Sequence, residues 1–458
     1  MPERFLGGRV VLHAGDCRAV LAELAENSID SVVCDPPYHL VSIVKRFANA
    51  TLEHEVFAAN NPTPAYGRLS RGFMGKQWDG GDVAFDPETW RAVIRVLKPG
   101  GYLLAMGGTR TYHRLACAIE DAGFEIRDTI SWLYGSGFPK SHDVSKGIDR
   151  AAGAERDKIF KPSAPAYQRS VGNTRPWMDD PDHKIDSNIP ATDAARQWQG
   201  WGTALKPALE PICMARKPLS EGTVAANVLR WGTGAINVDG CRVEGQAQPF
   251  GNGTARSAGI MGRSEPRGAW ESAATGRWPA NVVHDGSEEV VAAFPESESN
   301  ASYRGEVADI RGDNYNRANG KRLEGSNSIR GHTDSGSAAR FFYTAKANQD
   351  DRLGSSHPTV KPLDLMQWLV RLVTPEGGTV LDPFAGTGTT GEAAFRELMS
   401  AVLIEAEPEY QADIRRRMAL VLAGPLERTI AGIKARGLPD ELGPLFTWEA
   451  ARNEEAAE

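Results

Sequence analysis

The 458-residue chain is 41% hydrophobic with a net charge of −7, which fits a protein that can bury a large core and counts against one that coats nucleic acid by bulk charge. A local basic groove remains compatible with that total. No run approaches the roughly 18 apolar residues of a membrane span, and Met1-Pro2-Glu3-Arg4 leads into no apolar stretch of signal-peptide type, so a cytoplasmic location is expected. The five cysteines, Cys17, Cys34, Cys117, Cys213 and Cys241, are scattered and lack CxxC spacing, so neither disulfides nor a metal site is expected.

In chain order, residues 9–13 and 29–34 are short, apolar and β-branched, the signature of buried parallel strands, with a helical pattern over 17–26 between them. A helix over 88–97 stops at Lys98-Pro99-Gly100-Gly101, and a strand at 102–106, a helix at 111–121 and a strand near 124–133 follow. Alternation of this kind predicts an α/β fold with an open, mostly parallel sheet. From 136 to 205 the periodicity fails. A strand over 211–215 interrupts the irregular stretch, which resumes over 217–340, rich in Gly, Ser, Asn and Arg. The 48 glycines and 28 prolines concentrate in this middle part. Order returns with a helix at 362–373, a strand at 379–382, a helix at 389–398, a strand at 400–405 and a helix at 407–422; after Gly424 a further helix with a frayed end is expected.

Two islands carry chemistry. Asp382-Pro383-Phe384-Ala385-Gly386-Thr387-Gly388-Thr389-Thr390-Gly391 lies where a strand ends and a helix begins, so its glycines let backbone N–H groups approach a ligand. A Walker phosphate loop would need a lysine that is absent. The spacing of Gly386, Gly388 and Gly391 fits a dinucleotide fingerprint, with Glu405 about 20 residues beyond Gly386. Too little chain follows Glu405 to complete such a fold downstream, so earlier strands must finish the sheet. A packing turn without a ligand is the bland alternative. Glu405 suits a pair of ribose hydroxyls, with Glu407 as the competing acid.

The second island, Asp35-Pro36-Pro37-Tyr38, closes an apolar strand. Two prolines fix the turn and leave carbonyls free as acceptors. A carboxylate, a fixed carbonyl and an aromatic ring match an aromatic amine, which offers two N–H donors and a flat face. A strand-ending turn with a surface aspartate is the plain reading of the same residues.

Together these motifs resemble those of the amino-group (N6-adenine/N4-cytosine) DNA methyltransferases, and the order, DPPY before DPFAGTGTT, resembles the family's β class. The resemblance covers roughly residues 9–140, 205–216 and 341–422. It implies a Rossmann-like S-adenosylmethionine-dependent methyltransferase fold, circularly permuted and with a long irregular insertion. It further implies Asp35, Pro36, Pro37 and Tyr38 as catalytic residues, and S-adenosyl-L-methionine held by Asp16, Asp382, Phe384, Gly386, Gly388, Thr389, Glu405, Thr359 and Lys361, the last two from His357-Pro358-Thr359-Val360-Lys361-Pro362. Phe138 and Lys140, in the loop after Trp132, fall where the family's base pocket is completed, and a plain surface turn is the alternative reading of that loop. Leu205-Lys206-Pro207 with Glu210-Pro211-Ile212 is similar to the strand after the family's substrate loop.

The organisation expected is 1–140 as the catalytic half, 141–204 as a loop-rich insertion, 205–216 as a strand of the catalytic domain, 217–340 as target recognition, 341–424 as the cofactor half and 425–458 as a tail. Within 217–340, Arg304, Arg311, Arg317, Lys321, Arg322 and Arg330 could meet phosphates or guanine edges, or could simply be a solvated charged loop. Double-stranded DNA is the expected partner, with a second copy of the chain and a cognate restriction enzyme as further candidates. The DPPY form favours N6 of adenine over N4 of cytosine. RNA or glutamine methylation, and a non-catalytic DNA-binding role, are the competing readings.

Overall fold

The computed structural model describes residues 2–38, 83–137, 141–160, 184–243, 276–298, 302–303, 329–330, 335–345, 349–357 and 359–435. The chain forms two compact units, Met1–Gly135 with Leu209–Glu458, and Ser136–Ala208.

The first unit is organised by a ten-stranded sheet whose spatial order is Glu3–Phe5, Val10–Ala14, Ser400–Glu405, Thr379–Asp382, Ile29–Cys34, Leu97–Met106, Leu209–Arg216, Glu125–Leu133, Val282–His284 and Tyr343–Thr344. Pairing is parallel except that Glu3–Phe5 runs against its neighbour and Leu209–Arg216 runs against both of its own. The two strands nearest the C-terminus therefore fill the slot between the strands Val10–Ala14 and Ile29–Cys34. Strands from earlier in the chain thus complete the sheet on both sides of them, as expected.

All six residues of Ile29–Cys34 are buried, as a strand covered on both faces must be. Its side chains alternate between two cores. Val33 joins Leu104, Trp368, Leu369 and Ile414 on one face, while Val32 and Cys34 join Trp90, Val93, Leu103 and Ile119 on the other. The helices Leu363–Val373 and Pro408–Ala419 supply the first face, and Cys17–Glu23, Pro87–Val96 and Tyr112–Asp121 the second. Gly391 shows how tightly the layers meet, since a Cβ there would lie 2.7 Å from Leu403 Cδ1.

The helices Thr389–Arg396, Pro408–Ala419 and Pro425–Ala435 are tied together by one fully buried acid. Glu392 pairs with Arg417 at 2.8 Å, Arg428 at 2.9 Å and Arg396 at 2.9 Å. Arg417 also donates to the Thr387 carbonyl at 2.8 Å, which pins the glycine loop from behind.

Several elements depart from the pattern expected. The strand placed at 102–106 begins at Leu97, so Lys98-Pro99-Gly100-Gly101 lies within it. The region 217–340 holds the helix Val224–Trp231, capped by Thr223 and closed by left-handed Gly232, and the strand Val282–His284, which extends the main sheet. Arg304, Arg311, Arg317, Lys321 and Arg322 lie outside the described residues; the backbone of Arg330 pairs with Ser302. Leu205-Lys206-Pro207 precedes the strand Leu209–Arg216 rather than forming part of it.

The second unit, expected to be loop-rich, contains the helices Val144–Ala151 and Asp193–Gln197 and an antiparallel pair of strands, Lys158–Phe160 with Lys184–Asp186. Buried Asp149 accepts from Arg156 Nε at 2.6 Å, from Thr192 Oγ1 at 2.7 Å and from the backbone of Ala191 and Thr192, both at 3.0 Å. One buried carboxylate thus ties the helix Val144–Ala151 to Arg156 and to the segment that starts the helix Asp193–Gln197.

Removing the acid shared by three arginines should be severe. Glu392→Ala is expected to lower stability by about 3–5 kcal/mol in urea denaturation, because Arg417 and Arg428 stay buried without their partner. A loss under about 1 kcal/mol, the scale of an exposed pair, would contradict this account.

Candidate active site

The two central strands decide where chemistry can occur. Thr379–Asp382 and Ile29–Cys34 are parallel neighbours, with Val380 opposite Ser31 and Leu381 opposite Val32. From the first the chain crosses to Ser400–Glu405 on one side, and from the second to Leu97–Met106 on the other. Their carboxyl ends flank a topological switch point, where an open α/β sheet leaves a crevice. Both sequence islands open onto it.

On one side lies the glycine loop. Gly386 and Gly388 have φ of 51° and 78°, the left-handed region that disfavours side chains, and Gly388 caps the helix Thr389–Arg396. Asp382 faces inward, accepting from Phe384 N at 3.0 Å and from Thr390 Oγ1 at 2.5 Å, so it fixes the turn. Phe384 packs edge-on against Trp90, with ring centroids 6.2 Å apart. Thr389 is buried with its hydroxyl 3.4 Å from that of Thr387.

Next along the sheet edge, Glu405 is buried and accepts from Gly386 N and Glu407 N, both at 2.8 Å. Burial raises its carboxyl to about 7 against the pull of those two N–H groups, and burial likewise raises Asp382 to about 7 despite its two donors. Glu407, by contrast, is exposed just before the helix Pro408–Ala419. Asp16 follows the adjoining strand, which reaches it because Glu405 lies opposite Ala14. Asp16 is exposed, and its Oδ1 caps the helix Cys17–Glu23.

On the other side, Asp35 and Tyr38 meet two residues from distant segments. Lys361 Nζ lies 2.7 Å from Asp35 Oδ2, 3.1 Å from Glu210 Oε2 and 3.2 Å from Tyr38 Oη. The Tyr38 hydroxyl in turn donates to Glu210 Oε2 at 3.2 Å, and the ammonium sits 5.3 Å from the Tyr38 ring centroid. Burial alone would lower the Lys361 ammonium, but the two carboxylates beside it hold it well above its usual range. Burial, with Asp35 and Glu210 alongside, raises the Tyr38 phenol too, so it remains a donor. Thr111 Oγ1 holds the Tyr38 carbonyl at 3.0 Å, and Gly108 gives the ring room, since a Cβ there would come within 3.2 Å of it.

Within this cluster of four side chains, Asp35 Oδ1 is the buried oxygen left over. It is buried and accepts no hydrogen bond among the described residues, although Oδ2 of the same group is engaged. A buried acceptor left empty costs about 1–3 kcal/mol, which marks it as a place where a donor is to be received.

Residues 29–174 and 255–416 match the model of the N6/N4 DNA methylase family. The chain belongs to the DNA methylase family. Among curated relatives, the type II methyltransferase M.HindIII of Haemophilus influenzae is 24% identical over 230 residues, 47% of this chain and 61% of that protein. M2.DpnII of Streptococcus pneumoniae is 40% identical over 68 residues, 15% of this chain and 25% of its own length. M.BglI of Bacillus subtilis is 46% identical over 59 residues, 13% and 17% respectively. The matches thus span less than two thirds of these relatives. Among solved structures, PvuII DNA methyltransferase (cytosine-N4-specific) aligns with 94% of each chain at 14% identity and a TM-score of 0.39. A DNA modification methylase of Thermus thermophilus aligns with 90% of this chain and 96% of that one at 17% identity and a TM-score of 0.35.

S-adenosyl-L-methionine is the cofactor this family uses, and the residues of the crevice fit it. A carboxylate offers about four lone-pair sites, and Glu405 spends two on backbone N–H groups, leaving room for a vicinal pair of hydroxyls.

Resemblance places Lys361 with the cofactor residues, whereas the structure sets it in the Asp35–Tyr38 cluster. Thr359 is linked to His357, whose Nδ1 accepts from its N–H at 3.3 Å. Phe138 and Lys140 lie outside the described residues. Sequence reasoning passed over Glu210 as a site residue. The signal for it was topological: an antiparallel strand begins at the edge where its parallel neighbours end, which places Glu210 opposite Trp132 beside the crevice.

The two raised acids give a pH signature. Each binds its proton more tightly when folded than when unfolded, so the stability they confer below pH ~4 is lost as pH rises through about 7. The urea midpoint is expected to fall between pH 5 and 8, by less in Glu405→Gln than in the parent. A midpoint that rises over that range in the parent would contradict the assignment.

Proposed function

We propose that this DNA methylase transfers a methyl group from S-adenosyl-L-methionine to N6 of adenine in double-stranded DNA, on a base turned out of the helix. The buried Asp35 Oδ1 beside Tyr38, which no described residue fills, carries the reading. A base within the duplex cannot reach a recessed acceptor at a sheet edge, so extrusion is required. Tyr38 then stacks on the base. Asp35 Oδ1 accepts one amino N–H and the Pro36 carbonyl the other, which favours a pyramidal nitrogen and stabilises the positive charge growing on it.

The cofactor supplies a methyl group on a positively charged sulfur. Glu405 engages the ribose hydroxyls, and the loop from Asp382 through Phe384, Gly386 and Gly388 to Thr389, with Asp16, borders the adenosine. Placing the two reactants across one switch point for in-line transfer provides much of the acceleration. Methylation at C5 of cytosine would need a cysteine nucleophile. Cys34 is fully buried, and burial raises its thiol well above the ordinary value, which disfavours that route.

The preference for adenine rests on the aspartate that heads the motif. N4 of cytosine is the second reading, favoured by the fact that its amine presents the same N–H donors to Asp35. The named relatives are type II methyltransferases, so a cognate restriction endonuclease is the proposed cellular counterpart.

In a methylation-free host, nucleoside mass spectrometry is expected to find N6-methyladenine with this protein and at least about 100-fold less with Asp35→Ala, the scale of removing a transition-state hydrogen-bond partner. N4-methylcytosine instead would reverse the base assignment, and neither product would overturn the reading. For the cofactor side, Glu405→Gln is expected to weaken S-adenosylhomocysteine binding by about 10–100-fold in calorimetry at pH 8, where the carboxyl is ionised, the value of hydrogen bonds to a charged group. Unchanged affinity would remove Glu405 from that role.

A further inference from the structure

Glu210 stands on the strand Leu209–Arg216, far in sequence from the two motifs, yet shares both of its neighbours with Asp35. Its Oε2 receives the Tyr38 hydroxyl at 3.2 Å and the Lys361 ammonium at 3.1 Å, and Lys361 reaches Asp35 Oδ2 at 2.7 Å. All of these side chains are largely withdrawn from water; Lys361 is 6% exposed, Asp35 19% and Glu210 18%.

We infer that Glu210 is a positioning residue for methyl transfer, acting through Lys361 and Tyr38 to aim Asp35 Oδ1 and the Tyr38 ring at the target base. The inference rests on the methyltransferase reading above. Its logic is geometric. A lysine ammonium on a flexible stem has three donors and no intrinsic orientation. Held by Asp35 alone, it could swing the carboxyl with it. Held also by Glu210 and by the Tyr38 oxygen, it occupies one position, and Asp35 Oδ2 is fixed there.

With Oδ2 fixed, the carboxyl plane is set and Oδ1 is left as the acceptor that no described residue fills. Tyr38 is oriented from both ends in the same manner, its carbonyl by Thr111 and its hydroxyl by Glu210. Charge adds to geometry. Two acids share one lysine, so the cluster carries an excess negative charge close to the nitrogen on which positive charge develops.

The experiment uses the full chain, tritiated S-adenosylmethionine and unmethylated genomic DNA, with enzyme in excess over sites so that a single round is followed. Glu210→Gln is expected to slow methyl transfer by about 100-fold, as a 1 Å misplacement of reacting groups does. S-adenosylhomocysteine affinity by calorimetry should change by less than about threefold, because Glu210 is assigned no part in holding the cofactor. Glu210→Asp, which keeps the charge, should recover part of the rate. The double variant Glu210→Gln/Lys361→Met should be no slower than Lys361→Met alone, since residues that act through one another are not additive.

A rate within about threefold of the parent in Glu210→Gln would overturn the inference, as would additive effects in the double variant or a loss matched by equal loss of cofactor affinity. Should Glu210→Gln fail to fold, Glu210→Asp and Lys361→Arg read the same quantity, and full activity in both would overturn it equally. A parent protein that methylates neither adenine nor cytosine in that DNA would instead overturn the reading on which the inference rests.

Discussion

The structure depends on the parallel pairing of Ile29–Cys34 with Thr379–Asp382, two strands whose register, Leu381 on Val32, joins opposite ends of the chain. Each strand is followed in the sheet by a neighbour on the side away from the other, so their carboxyl ends flank the gap of a switch point. Everything the site requires follows from that gap. The glycine loop and Glu405 lie on one side of it, Asp35 and Tyr38 on the other, and neither half is complete alone.

Holding such a gap open needs rigid walls, and the protein builds them from buried polar groups. Behind the glycine loop, Glu392 gathers three arginines and Arg417 holds the Thr387 carbonyl. Behind the strand Ile29–Cys34, Asp30 takes Lys98 at 2.5 Å and the Thr379 N–H at 2.8 Å, so one carboxylate laces both central strands at the end remote from the site. These groups are satisfied by the protein itself. Asp35 Oδ1, beside the crevice, is by contrast a buried acceptor that no described residue fills, a state it shares among the described residues with Thr89 Oγ1, Trp132 Nε1, Ser297 Oγ and Trp368 Nε1.

Much of the sheet could be read from the sequence because its strands are short, fully buried and bounded by Gly, Pro or Asp; Ile29–Cys34, Thr379–Asp382 and Ser400–Glu405 appear at the bounds expected. The middle of the chain was opaque for physical reasons. The helices Val144–Ala151 and Asp193–Gln197 are only about two turns or fewer and are specified by caps at Asp143 and Thr192 and by Asp149, not by an apolar stripe. A strand of three residues, Val282–His284, shows no alternation long enough to read.

Within the site, the motif residues were legible and their partners were not. Glu210 and Lys361 are brought to Tyr38 across 172 and 323 residues, and nothing in either local segment specifies the other. What specifies them is the reversal of one strand. Because Leu209–Arg216 runs against Leu97–Met106 and Glu125–Leu133, its first residues sit where their last ones do. A parallel strand in that slot would present its start to the opposite edge and leave Lys361 with Asp35 as its sole acid. The antiparallel strand is therefore part of the chemistry as much as of the fold: it delivers a second carboxylate to the crevice without a loop, on a rigid element whose next residues, Pro211 and Ile212, are already paired to Ser131 and Ile130.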